Sequence, residues 1–196
     1  AQYLPIDEKH PVNPQSPYAA TKASADVLAN SFFFSFNLPI VIIRSFNSFG
    51  PRQSARAVIP TIISQALKGG GELKLGNIDV FRDFNYVLNM VQGLYEVGLH
   101  EKSIGETLHI GTNKGTSIRE LIDMIGKLTN TELKVQIDEQ RIRPVKSEVQ
   151  GLVCDYSRAN QLTGWKPSFS LEEGLAKTIE WSRDNLGIYK EGIYNV

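Results

Sequence analysis

Tyr18 and Lys22, four residues apart in Ser16-Pro17-Tyr18-Ala19-Ala20-Thr21-Lys22, are the residue types and spacing that most directly suggest chemistry. In a helix this spacing sets both side chains on one face. A phenol ionises near pH ~10 and is a poor base at neutrality. A neighbouring ammonium favours the phenolate and lowers that value. Such a pair is suited to take the proton of an alcohol. The same two residues could also form an ordinary amphipathic surface pair, so their surroundings must decide.

Pro17 suits a first helical turn and Ser16 its N-cap, so the pattern predicts a helix over 17–36 with Tyr18 and Lys22 at its start. Ile40 to Arg44 opens with four consecutive β-branched residues, the pattern of a strand buried on both faces of a parallel sheet. The loop Asn47-Ser48-Phe49-Gly50-Pro51 follows it. Further helices are predicted over 55–68, over 89–99 with Asn89 as cap, from Ser117 through 128, after Ser157, and over 171–185. Strands are predicted over 73–75, 107–110 and 133–137. Gly69-Gly70-Gly71 reads as a helix stop. Residues 1–17 are a proline-punctuated loop, and 138–146 form a basic loop that faces solvent or meets an anion. Helices alternating with short strands predict an α/β fold.

Lys+Arg equals Asp+Glu at 21 each, so no global field recruits nucleic acid or an anionic membrane. The 41% hydrophobic content suits a globular core, and no apolar run is long enough to span a bilayer. One cysteine, Cys154 in Leu152-Val153-Cys154, excludes an internal disulfide framework and reads as a packed thiol. His10, His100 and His109 lack metal-ligand spacing, and His109 reads as packed in its apolar strand. A cytoplasmic location is expected.

Several motifs then follow in fixed order: Ser16-Pro17-Tyr18-Ala19-Ala20-Thr21-Lys22, Arg44-Ser45-Phe46-Asn47-Ser48-Phe49-Gly50-Pro51-Arg52-Gln53, Val58-Ile59-Pro60, Arg82-Asp83-Phe84-Asn85-Tyr86-Val87 and His109-Ile110-Gly111. Arg143-Pro144, Asp155-Tyr156-Ser157-Arg158-Ala159 and Leu162-Thr163-Gly164-Trp165-Lys166-Pro167 complete the series. Together they resemble the extended short-chain dehydrogenase/reductase family, specifically its NAD-dependent nucleotide-sugar 4-epimerases and 4,6-dehydratases. The run from Pro51 to Ile63 is most similar to the dehydratase-like branch of bacterial nonulosonic (legionaminic-type) acid synthesis.

The resemblance implies the C-terminal part of a Rossmann-like doubly wound parallel sheet plus a small α/β substrate-binding domain. Residues 1–50 and 84–112 would belong to the NAD-binding Rossmann domain, and 51–83 and 113–196 to the substrate domain. Tyr18 would take the proton of the sugar 4-hydroxyl while hydride leaves C4 for NAD. Lys22 would hold the nicotinamide ribose and lower the Tyr18 pKa. Ser45 and Phe46 would lie near the nicotinamide. Asn47, Arg82 and Arg143 would bind the diphosphate, for which a guanidinium offers a matching fork of donors. Asn47 could instead be a turn residue, and either arginine simply solvated. Val58, Ile59, Leu73 and Leu75 would border the base, or be plain core. Asp83 reads as a structural partner, and Asn89 stands where relatives commonly carry Asp.

A nucleotide-diphosphate sugar, foremost a UDP-sugar, is the implied partner, and the complete enzyme would be a homodimer. Neither nucleic acid nor membrane is expected as a partner. The family's Gly-rich phosphate turn at a strand-to-helix junction does not occur in this sequence. The chain therefore reads as a C-terminal portion with little activity alone. The other readings are a non-catalytic sugar-nucleotide-binding remnant or an inactive fragment lacking the Gly-rich NAD-binding half.

Overall fold

Ser16 caps the first helix, its hydroxyl accepting from Ala19 N at 3.2 Å. The computed structural model describes residues 1–69, 71–142 and 149–189. In chain order it contains α1 (Pro17–Phe36), β1 (Ile42–Ser45), β2 (Asn47–Phe49), α2 (Val58–Leu67), β3 (Glu72–Leu75), β4 (Phe81–Arg82), β5 (Phe84–Tyr86) and α3 (Val87–Gly98). There follow β6 (Thr107–Ile110), β7 (Thr116–Ser117), α4 (Ile118–Thr129), β8 (Lys134–Ile137), β9 (Gly151–Leu152), α5 (Ser157–Thr163) and α6 (Leu171–Asp184).

The strands pair mainly in parallel, β1 with β6, β2 with β5 and β3 with β8. β4 lies between β7, antiparallel, and β9, parallel. The expected α/β class is what the chain adopts. Parallel strands need crossovers, and the helices supply them while covering the apolar faces. The larger core joins Ile59, Ile62 and Ile63 of α2 to Leu73, Leu121 and Leu175. A second core gathers Val97, Leu108, Ile110, Ala159 and Trp165. Among the described residues, no helix is long and apolar enough to cross a membrane and no cluster of His, Cys, Asp or Glu could hold a metal.

Asn89 departs from expectation. The third helix starts at Val87, with Tyr86 at its N-cap and no side-chain cap. Asn89 is instead fully buried. Its Nδ2 donates to Phe169 O at 2.9 Å, and its Oδ1 accepts from Ser168 N and Phe169 N, each at 2.9 Å. A carboxamide can donate and accept at once, so it clamps the loop before α6 where a carboxylate could only accept.

Gly111, just after β6, lets three segments meet. A Cβ there would overlap Cys154 Cβ, lie 2.7 Å from Cys154 Sγ and stand 3.0 Å from Asp83 Oδ2. Gly111→Ala is therefore expected to lower stability by about 1–3 kcal/mol through overpacking, read from a denaturant midpoint shift at unchanged slope. An unchanged midpoint would show that the segments can separate freely.

Candidate active site

The pair that opens the reading sits at the N-terminus of α1. Lys22 Nζ lies over the Tyr18 ring, 5.6 Å from its centroid, so the ammonium stands beside the phenol ring. Both side chains are exposed, and the Tyr18 hydroxyl has no hydrogen-bond partner among the described residues. The helix carrying them buries no residue at all. It touches β1 through Asp26, whose Oδ2 accepts from Arg44 Nε at 2.7 Å. Further along, the Phe33 ring rests on Gly105, whose Cβ position would fall 2.6 Å from Phe33 Cζ.

These two contacts fix the direction of α1. Gly105 N donates to Ile40 O, so Phe33 marks the start of β1, while Asp26 marks its end at Arg44. Running back toward its N-terminus, α1 therefore advances toward the carboxyl end of β1. At about 1.5 Å of rise per helical residue, Lys22 lies about 6 Å and Tyr18 about 12 Å beyond Asp26; strand rise carries Asn47 about 10 Å beyond Arg44. Tyr18 and Lys22 on α1, and Ser45, Phe46 and Asn47 after Arg44, thus extend in the same direction, toward the carboxyl end of the β1–β6 layer. That is where open α/β sheets bind ligands.

Ser45 is exposed, and Phe46 is half-buried with its ring 5.6 Å from the His109 ring. Asn47 is exposed and opens β2, in register with Phe84 of β5. Next to Phe84, Arg82 Nη1 donates to Phe81 O at 2.8 Å and approaches Gln150 O at 3.4 Å. Arg143 lies outside the described residues. Val58 is half-buried beside the larger core. Ile59, Leu73 and Leu75 are buried inside that core, which agrees with the plain-core alternative for their side chains. The Leu75 carbonyl also accepts from Asp138 N at 2.8 Å.

Asp83 is the buried anchor of this region. Its carboxylate accepts from Thr112 N (2.9 and 3.0 Å), Thr112 Oγ1 (2.7 Å), Asn113 N (3.0 Å) and Cys154 N (3.1 Å). Burial pushes the carboxyl up from the usual carboxylate range, and these donors pull against it. Burial likewise raises the Cys154 thiol, leaving it inert.

His109 is buried, and its backbone N donates to Glu8 Oε1 at 2.9 Å. Its Nδ1 lies 3.2 Å from Ile6 O; a carbonyl only accepts, so Nδ1 carries the proton. Nε2 is then a buried acceptor with no partner among the described residues. Burial holds the imidazole below its ordinary value, against the pull of Glu8 and the Ile6 carbonyl. A base depressed in the fold gives stability that is present above its unfolded value and lost as pH falls through the folded one. Stability is therefore expected to drop below pH ~6.5 with up to one proton of slope from His109, and His109→Gln should remove that part. Denaturant titrations across pH with equal slopes for both proteins would contradict this.

Sequence reading did not single out Asp26, Glu8 or Gln53. Gln53 Nε2 donates to Ser48 O at 2.8 Å and Tyr189 Oη donates to Gln53 O at 3.3 Å, steadying the loop after Asn47. Asp26, four residues past Lys22 on the same face, carried a legible signal. Glu8 did not, because its partner is the distant backbone of His109, and Gln53 did not, because its amide binds a nearby backbone carbonyl that leaves no side-chain pattern to read.

Two surface grooves lie elsewhere. One of about 770 Å³ runs between α4 and the start of α6, past Thr112, Lys114, Lys127 and Phe169. Another of about 450 Å³ lies beside the end of α4. Neither is lined by Tyr18, Lys22, Asn47 or Arg82. The larger one carries Glu120, Asp123, Glu172 and Glu173 against two lysines, which disfavours a diphosphate.

Residues 1–178 match the family model described as GDP-mannose 4,6 dehydratase. A human dTDP-D-glucose 4,6-dehydratase is 34% identical over 199 residues, spanning 94% of this chain and 53% of that protein. Among solved structures, RMD from Pseudomonas aeruginosa complexed with NADPH superposes with a TM-score of 0.87 at 25% identity, covering 94% of this chain and 62% of that one. UDP-glucuronic acid 4-epimerase from Bacillus cereus, in complex with UDP-glucuronic acid and NAD, gives 0.83 at 28% identity, covering 92% and 56%. None of these three carries the name of the nonulosonic-acid branch. The chain spans about half the length of the curated relatives it matches, 58%, 52% and 53% of the first three.

Proposed function

Because the chain belongs to the GDP-mannose 4,6 dehydratase family, we propose that it supplies the proton-transfer and sugar-nucleotide-binding residues of an NAD-dependent nucleotide-sugar 4,6-dehydratase or 4-epimerase. The observation that supports this reading is Lys22 Nζ over the Tyr18 ring, on a helix whose Asp26 binds Arg44, the residue just before Ser45, Phe46 and Asn47. Both reaction classes begin with oxidation at the sugar C4. Tyr18 Oη takes the 4-hydroxyl proton, and the C4–O bond becomes a carbonyl. Bound NAD would supply the hydride acceptor that this oxidation requires. Lys22 donates to the ribose hydroxyls. Asn47, Arg82 and Arg143 hold the diphosphate, and Val58 with the backbone near Ile59, Leu73 and Leu75 borders a uracil base.

The residues present fit the nicotinamide end of such a cofactor. Tyr18 and Lys22 are exposed and paired, and Ser45 lies open beside the Phe46 ring. Among the described residues, the glycines at 69 and 71 form no pyrophosphate cradle, since they follow a helix and precede a strand. The proposed division into a Rossmann part and a substrate part does not coincide with the two cores, since Phe49, Phe84 and Tyr86 pack in the larger one and Ala159 and Trp165 in the smaller. The exposed apolar residues Val27, Leu28, Phe32, Phe34 and Phe36 of α1 support association of two copies of the enzyme along this helix.

Calorimetric titration tests the reading. UDP-glucose and NAD are each expected to bind, and Asn47→Ala should weaken UDP-glucose about tenfold, or ~1.4 kcal/mol. NAD binding without UDP-glucose binding would overturn the sugar-nucleotide assignment. UDP-glucose binding without NAD would favour the non-catalytic sugar-nucleotide-binding remnant.

A further inference from the structure

We infer that Asp26 and Arg44 are positioning residues that set the angle of α1, and through it the place of Tyr18 and Lys22; this rests on the proposed function for its catalytic consequence. A helix normally takes its orientation from the apolar face it buries. No residue of this one is fully buried, and its inner stripe of Ala19, Ala23, Asp26, Ala29, Asn30 and Phe33 is only half-buried. Mostly small residues there grip little, so the side-chain tethers matter more. At one end the Phe33 ring sits on Gly105. Between that point and Tyr18, the described ion pair is Asp26–Arg44, at 2.7 Å and with side chains only 24% and 30% exposed. Ahead of the helix, Glu8 is pinned to His109 N, but residues 12–15 make no hydrogen bonds among the described residues. That strap limits the reach of Tyr18 without fixing its angle.

The geometry makes a lever. Tyr18 lies about 22 Å along the helix from Phe33, so a tilt of about 5° about that pivot moves it about 2 Å. A displacement of that size is enough to cost up to ~10²-fold in rate when a reacting group must stay aligned. Arg44 is also the residue just before Ser45, Phe46 and Asn47. The ion pair therefore couples the proton-transfer helix directly to the strand end that would carry the sugar nucleotide. An exposed ion pair would do little of this, but partial burial and a short contact favour a defined geometry.

Asp26→Asn and the reversed pair Asp26→Arg with Arg44→Asp test it, each in the full chain. Spin labels at exposed Ala20 and Arg52, both replaced by cysteine, report the distance from α1 to the loop after Asn47; buried Cys154 stays unlabelled. Asp26→Asn is expected to broaden that distance distribution and to lower kcat about ten- to a hundredfold with KM for the nucleotide sugar changed less than about twofold. The reversed pair should narrow the distribution and recover part of kcat. Unchanged distances in Asp26→Asn overturn the inference, as does a distance change with turnover intact. Broadened distances in a protein whose unsubstituted form turns over no nucleotide sugar leave the tether standing and overturn the proposed function instead.

Discussion

Tyr18→Phe is expected to lower nucleotide-sugar turnover about 10³-fold, within the ~10²–10⁴-fold range that a positioned proton acceptor contributes. The ring and its place beneath Lys22 are retained, so only the hydroxyl is lost. The Tyr18 hydroxyl bonds to no described residue, and its side chain is 72% exposed, so stability should change by less than about 0.5 kcal/mol. Binding of the sugar nucleotide, proposed to rest on Asn47 and the arginines, should stay within about twofold. This is the pattern expected when an interaction made only in the transition state is removed. Steady-state kinetics with a thermal melt on the same samples checks it. Full activity in Tyr18→Phe would leave Lys22 and its neighbours without a chemical role.

Asp83→Ala is expected to be the most destabilising single change at the site, by about 3 kcal/mol, a fall of ~6–12 °C in Tm for a domain of this size. Three backbone N–H groups and one hydroxyl lose their acceptor in a region where Asp83 itself is fully buried. Burial raises the folded pKa of Asp83, so the fold binds this proton more tightly than the unfolded chain does. Ionisation of the group therefore subtracts stability as pH rises from ~3.9 through the folded value, and the donors limit that loss. The alanine variant should lack this component of the pH profile. Hydrogen exchange gives the local test, with protection expected to fall at Thr112, Asn113 and Cys154. Unaltered exchange at those three amides would mean that Asp83 is not their anchor.

Much of this was legible in the chain. Ser16 and Pro17 announced the start of α1, and Ser117 with Glu120 announced α4, because capping chemistry is local. The apolar strand near residue 42 and the role of Asp83 as a structural partner were also readable. The two- and three-residue strands β2, β4, β5 and β7 were not, since such short segments carry no period of their own and exist only through their partners. Asn89 was misread for the same reason. Its sequence context looks like a cap, while its partners, Ser168 and Phe169, lie some eighty residues away. Leu73 and Leu75 alternate as strand residues do, and alternation alone does not say whether the inward face meets a ligand or a core.

The central claim places the sugar C4 hydroxyl against Tyr18. A crystal structure with a UDP-sugar and NAD bound measures that directly. The expected result is the sugar O4 at about 2.6–3.2 Å from Tyr18 Oη, with the diphosphate beside Asn47. A sugar nucleotide seated in the groove between α4 and α6, or one whose O4 lies beyond the reach of Tyr18, would contradict the account.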